Sequence, residues 1–168
     1  MMQWIQRGTF VVIGILPLML PVATARTQTP QLPPTTGKRS LAAALRVVRP
    51  LLREDPEKAI QVLVNLNEQH PASPQVLNLL GDSYLVVGRT DSAIAVYRRC
   101  LRAHPTNVKA GAALGTLLIQ TDQRERGERV FQELLDHTGN SVNTFRNIGS
   151  ALSKNRYYDL ALGMYEEG

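Results

Sequence analysis

Three histidines, one cysteine and a scatter of carboxylates are the side chains in this 168-residue sequence that could do chemistry. His70 and His104 each stand directly before a proline, and His137 falls one place short of completing an even spacing with them. A metal site would instead set His, Cys or carboxylate ligands a few residues apart on one face, as in H-E-x-x-H. No such cluster occurs, nor a G-x-S-x-G nucleophile elbow, nor a Gly-rich phosphate loop. A histidine at the end of a helix suits the negative pole of the dipole there. The three imidazoles therefore read as repeated structural features. No catalytic residue, metal or cofactor is expected, and the chain reads as a non-enzyme. Cys100 stands alone, so no internal disulfide can form, and a small buried thiol is the expectation.

What positions these residues begins with a segment of another kind. Positions 1–25 hold Arg7, an apolar run from Phe10 to Val22, and Ala23-Thr24-Ala25, the small-residue pattern of a cleavage site. That run, at 1.5 Å per residue, covers about 21 Å, short of a bilayer core near 30 Å. A cleaved export signal is favoured over an uncleaved anchor at residues 10–23, and the expected location is periplasmic or extracellular, in a bacterial envelope. No cysteine follows the cleavage site to carry a lipid. Removal of Arg7 leaves 18 Lys/Arg against 14 Asp/Glu. In such a compartment that basic excess predicts anionic surfaces or acidic proteins, not nucleic acid, and membrane contact only through the signal or anchor.

Residues 26–39 contain three prolines and four threonines, with Leu32 as the one sizeable apolar side chain. They cannot bury enough surface to offset chain entropy, which predicts a flexible linker. From Ser40 the pattern becomes helical. Leu80-Gly81, Leu114-Gly115 and Ile148-Gly149 recur at equal intervals. In the same register Ala93 meets Gly127 and Ala161, Tyr97 meets Phe131 and Tyr165, and Tyr84 meets Leu118 and Leu152. Pro105 has its counterpart in Pro71.

Each interval holds two helices. Ala93, Val96, Tyr97, Cys100 and Leu101 recur at three and four residues and form one apolar face. Small residues allow two helices to approach, and the aromatic fills space towards the next unit. Asp55-Pro56 and Ser73-Pro74 predict an N-cap followed by proline in the first turn. Asp122 with Glu125 predicts a capping box. Gly88 and His104-Pro105 predict helix ends. Helices are expected at 40–53, 56–69, 75–87, 90–103, 108–120, 123–137, 141–154 and 157–168.

A period of about 34 residues with these residue types resembles the tetratricopeptide repeat family. The resemblance implies an all-α fold, a right-handed α-solenoid of antiparallel helix pairs in which each unit packs on its neighbours. Its units fall at 40–73 (a degenerate cap), 74–107, 108–141 and 142–168, the last ending within its second helix. The cap departs from the pattern: Arg46-Val47 stand for Leu80-Gly81, and Pro50, in place of Tyr84, should kink or shorten the first helix.

The resemblance also implies a function. The first helices of successive units line a concave groove that holds a protein or peptide segment. The matching positions are Gln75, Asn78, Asp82 and Leu85; then Lys109, Ala112, Thr116 and Ile119; then Asn143, Arg146, Ser150 and Ser153. Amides and hydroxyls there suit a peptide backbone, and Lys109 and Arg146 suit an acidic group. The carboxylate-clamp subclass is not matched, because most of its cations are missing and Asp82 would repel a carboxylate. The chain is therefore expected to be an interaction scaffold of the cell envelope. The other reading is the repeat region of a larger exported protein, a polysaccharide exporter or a secreted enzyme, cut at Gly168. Arg46, Arg49 and Arg53 on one helix, and Arg98, Arg99 and Arg102 on another, form basic stripes suited to solvent or to acidic lipid, glycan or protein.

Overall fold

The computed structural model describes residues 38–168, with side chains from Leu41 onward. The expected signal at 1–25 and all of the linker but its last two residues lie outside that range. Eight helices and no strand occur among the described residues: α1 (Lys38–Glu54), α2 (Pro56–Gln69), α3 (Pro74–Val86), α4 (Thr90–Ala103), α5 (Val108–Gln120), α6 (Arg124–His137), α7 (Val142–Lys154) and α8 (Tyr158–Glu167). None is long and apolar enough to cross a membrane. They stack as four hairpins, α1·α2 through α7·α8, each packed on the next. This is an α-solenoid.

The helix starts follow from local chemistry. Asp55 accepts a hydrogen bond from the Lys58 amide at 3.1 Å, Ser73 from Val76 at 3.5 Å and Asn107 from Ala110 at 3.1 Å, each satisfying a donor that the first turn leaves open. The capping box expected at Asp122 does not form. Asp122 takes a left-handed φ of 60°, Gln123 becomes the N-cap, and no side chain caps α6. The turns inside the last three hairpins share that conformation: Gly88 has φ 73° and Arg156 φ 67°. Asp122 is thus used for the turn and is unavailable as a cap.

Pro50 does not end α1, which continues to Glu54. The proline lies on the exposed side, where water can take the carbonyl freed by its missing N–H.

Glycine and aromatic form the repeated lock inside the last three hairpins. A Cβ at Gly81 would lie 2.5 Å from the Tyr97 ring, one at Gly149 would lie 2.7 Å from Tyr165, and Gly115 is covered in the same way by Phe131. Tyr97 is fully buried. Burial of such a ring contributes on the order of 2–3 kcal/mol, which the missing Cβ makes possible.

The solenoid is not uniform. Against the preceding hairpin, α3 packs chiefly on α2 and α5 on α4, but α7 packs chiefly on α5 and only lightly on α6. The core divides accordingly. Leu114, Leu117 and Leu118 of α5 join the cluster that begins at Ala44, whereas Ala112 and Ile119 join a second cluster with Phe131, Ile148 and Leu152. The connecting loops give the cause. His70 and His104 end α2 and α4 with φ near −135° and −139°, each before a proline. After α6 the chain instead reads Thr138-Gly139-Asn140, with φ of 65° and 51° at the last two. The Asn140 amide reaches back to the Leu135 carbonyl at 2.9 Å, so the backbone winds further round before α7 begins.

Candidate functional site

A cleft of about 440 Å³ opens between α3, α5 and α7. Its α5 wall carries Lys109, Ala112, Ala113, Thr116, Leu117 and Gln120. The C-terminal half of α3 supplies Asp82 and Leu85, and α7 supplies Asn147, Ser150, Ala151 and Lys154, with Asn155 just beyond. Tyr97 of α4 closes one end.

Asp82 organises that end. Tyr97 Oη donates to Asp82 Oδ1 at 2.6 Å, and Lys109 Nζ pairs with Oδ2 at 2.6 Å. One carboxylate thereby joins both helices of one hairpin to the first helix of the next. Burial, and then the adjacent Asp82 charge, push the Tyr97 phenol far above its ordinary range. It stays a donor at all physiological pH. Lys109 is consumed by this pair and offers an acidic ligand less than the sequence suggests. Lys154, at the other end, is exposed and has no ion pair among the described residues.

Besides Tyr97, three hydroxyl side chains are buried among the described residues, and they differ. Ser83 donates to the Leu79 carbonyl at 2.6 Å and Thr144 to Thr138 Oγ1 at 2.9 Å. Thr116 is 3% exposed, and its Oγ1 has no hydrogen-bond partner. Buried hydroxyls are normally satisfied, because an orphan retains its full desolvation penalty. This orphan lies in the cleft wall.

Of the twelve groove residues named from the sequence, Asp82, Leu85, Lys109, Ala112, Thr116 and Ser150 line the cleft, and Gln75, Asn78, Ile119, Asn143, Arg146 and Ser153 do not. Asn78 is drawn into a network that pins the α4–α5 loop. Its amide donates to Asn107 Oδ1 at 3.4 Å, and its oxygen accepts from the Cys100 thiol at 3.7 Å. Burial pushes that thiol up, opposed by the hydrogen bond from Asn107 and the charge of Arg99. Arg146 donates to Asn143 on an exposed face, and Asn147 Nδ2 donates to the Asn143 carbonyl at 2.6 Å. The cleft residues absent from the sequence reading on α7, namely Asn147, Ala151 and Lys154, with Asn155 just beyond it, follow from its packing on α5 in place of α6. No signal within α7 itself reports that rotation.

The histidines have the structural places expected of helix ends. His104 Nε2 meets the Ala72 carbonyl of the preceding loop at 2.5 Å, and His137 Nδ1 meets the Glu133 carbonyl at 2.5 Å. No group of three or more His, Cys, Asp or Glu lies together among the described residues. A second groove, about 390 Å³, lies between α4 and α6, with Leu101, Pro105, Val130 and Leu134 as floor and Arg98 and Arg102 at the edge. Arg99 is used otherwise, donating to Asn67 at 2.5 Å.

Residues 87–144 match the profile of the tetratricopeptide repeat. That segment, about a third of the chain, carries the tetratricopeptide repeat pattern. Solved structures share the chain's fold at low identity. MamA (residues 41 to the end) from Desulfovibrio magneticus RS-1 superposes with a TM-score of 0.57 at 16% identity, covering 79% of this chain and 75% of that one. Another MamA crystal structure gives 0.56 at 15%, covering 76% and 75%. A tetratricopeptide repeat protein from Parabacteroides merdae ATCC 43184 gives 0.59 at 18% and covers 78% of this chain, which spans only 52% of that longer one. No curated protein sequence matches the chain. Tetratricopeptide repeat geometry accounts for the glycine–aromatic locks, and the cleft lies where successive first helices face one another.

Proposed function

We propose that this protein is a non-catalytic scaffold of the bacterial cell envelope that holds an extended segment of a partner protein between α3, α5 and α7. The observation that carries the reading is the unpartnered Thr116 hydroxyl in the cleft wall. A turn about χ1 that brings this buried oxygen to the cleft surface would let a backbone carbonyl or amide of an extended peptide satisfy it. Nearby, Gln120 and Asn155 are joined by a hydrogen bond of 2.5 Å that a peptide amide can replace, and Lys154 receives an acidic side chain. Leu85, Ala113 and Leu117 give the peptide apolar contact between these polar points. The location rests on the export signal read in residues 1–25.

The test is photo-crosslinking from a benzoylphenylalanine placed at Gln120, in cells, with Glu133 in the second groove as the control position. One partner segment should be captured from position 120, and a Ser150→Arg change that fills the cleft should abolish it. Capture that is equal from both positions, or indifferent to Ser150→Arg, removes the cleft from the function. Location is read separately: the N-terminal residue of the exported protein should be Arg26.

A further inference from the structure

The basic excess of the chain is not spread over it. Residues 55–168 carry 12 Lys/Arg against 13 Asp/Glu, so the repeats are close to neutral. α1 alone carries Lys38, Arg39, Arg46, Arg49 and Arg53 against Glu54. Ala42, Arg46, Arg49 and Arg53 follow one another at four, three and four residues, which sets them on one side of the helix. All four are exposed, while Ala44 and Val48, on the other side, are buried in the core. None of the three arginines has an ion pair among the described residues. Val47, 50% exposed, lies at the edge of the same face.

We infer that this face of α1 docks on the surface of a membrane rich in anionic lipid. The stripe is a row of guanidinium groups with small residues beside it, a basic surface of the kind drawn to anionic headgroups, while the apolar face of α1 stays in the protein core. A groove or pocket for one discrete anion would need converging donors, and α1 lines neither of the two clefts. Single-stranded nucleic acid would call for aromatic stacking platforms between the cations, and this face has no aromatic. The order of the chain agrees: α1 is the first described helix after the apolar run at 10–22, which directs the chain to a membrane. The inference is independent of the peptide reading of the cleft, since none of the cleft residues belongs to α1.

The experiment uses the full chain with Ala42→Cys, labelled with an environment-sensitive fluorophore. Cys100 is fully buried and stays unlabelled. Vesicles of phosphatidylcholine, alone or with an equal part of phosphatidylglycerol, are added. The local probe reports contact of α1 even where the apolar run inserts into both. A blue shift is expected with the anionic vesicles only. Each arginine at such a surface is worth about a factor of five in partition, so the Arg46→Gln, Arg49→Gln, Arg53→Gln variant should need roughly a hundredfold more lipid. Arg98→Gln with Arg102→Gln should change nothing. Circular dichroism checks the fold, and Arg49→Gln alone, with its smaller shift, serves where the triple variant melts. An equal response to both vesicles, an unchanged triple variant, or an equal loss on changing Arg98 and Arg102 overturns the inference. So does a response to duplex DNA or polyglutamate at lower charge concentration than to vesicles.

Discussion

Replacing Thr116 by Val separates stability from function in a single step. The two side chains are nearly isosteric and both branch at Cβ, so helix propensity and packing volume stay almost constant. Only the hydroxyl changes. Thr116 is 3% exposed and its oxygen has no partner, so the folded chain bears a desolvation penalty of about 1–3 kcal/mol that valine removes. The variant should therefore be more stable by about 1–2 kcal/mol. Urea unfolding followed by circular dichroism measures it, and the midpoint should rise with the slope unchanged. Capture of the partner by the crosslinker at Gln120 should fall at the same time. A variant equally or less stable would refute the reasoning. The hydroxyl would then already be satisfied, most simply by the Ala112 carbonyl one turn back, and its place in the cleft would carry no meaning for a ligand.

Other changes test the packing. Gly127→Ala places a Cβ 2.5 Å from the Gly115 carbonyl oxygen, a backbone atom that cannot swing aside, and should cost about 1–3 kcal/mol in chemical denaturation. Gly163→Ala in α8 meets nothing within 4 Å and should stabilise by about 0.5–1 kcal/mol in the same assay. Arg156→Gly relieves a left-handed residue at φ 67° and should gain about 1 kcal/mol, seen as a higher melting temperature. Tyr97 has its pKa raised on folding, so its contribution is fully present below the unfolded value of 10.0 and is lost as pH rises above it. Tyr97→Phe should remove that part of the alkaline decline, flattening stability against pH above 10 relative to the parent chain.

The hairpins themselves were legible because each rests on short-range rules. Asp55-Pro56 and Ser73-Pro74 mark starts through capping, and Gly81 with Tyr97 marks a close approach through complementary size; both signals lie within one repeat. The Asp122 cap failed for a reason equally local. The turn after α5 needs a left-handed residue, and aspartate tolerates that conformation better than most. Groove positions were half legible. Asp82, Lys109, Thr116 and Ser150 follow from repeat register, but Asn78 was claimed by Asn107 and Cys100, and Arg146 by Asn143. Competition among polar neighbours is settled by distance, which a one-dimensional pattern does not contain.

By itself the amino-acid order determined the element type and the period. Helix periodicity, caps and the size match of glycine with aromatic act over a few residues or one repeat. The tertiary structure decided how the third hairpin meets the fourth. There Gly139 and Asn140 replace a proline-bearing loop, α7 leans on α5, and the cleft takes its wall from Asn147, Ser150 and Lys154. That angle is a balance of loop conformation against packing on two candidate helices, and such a balance exists only once both surfaces are formed.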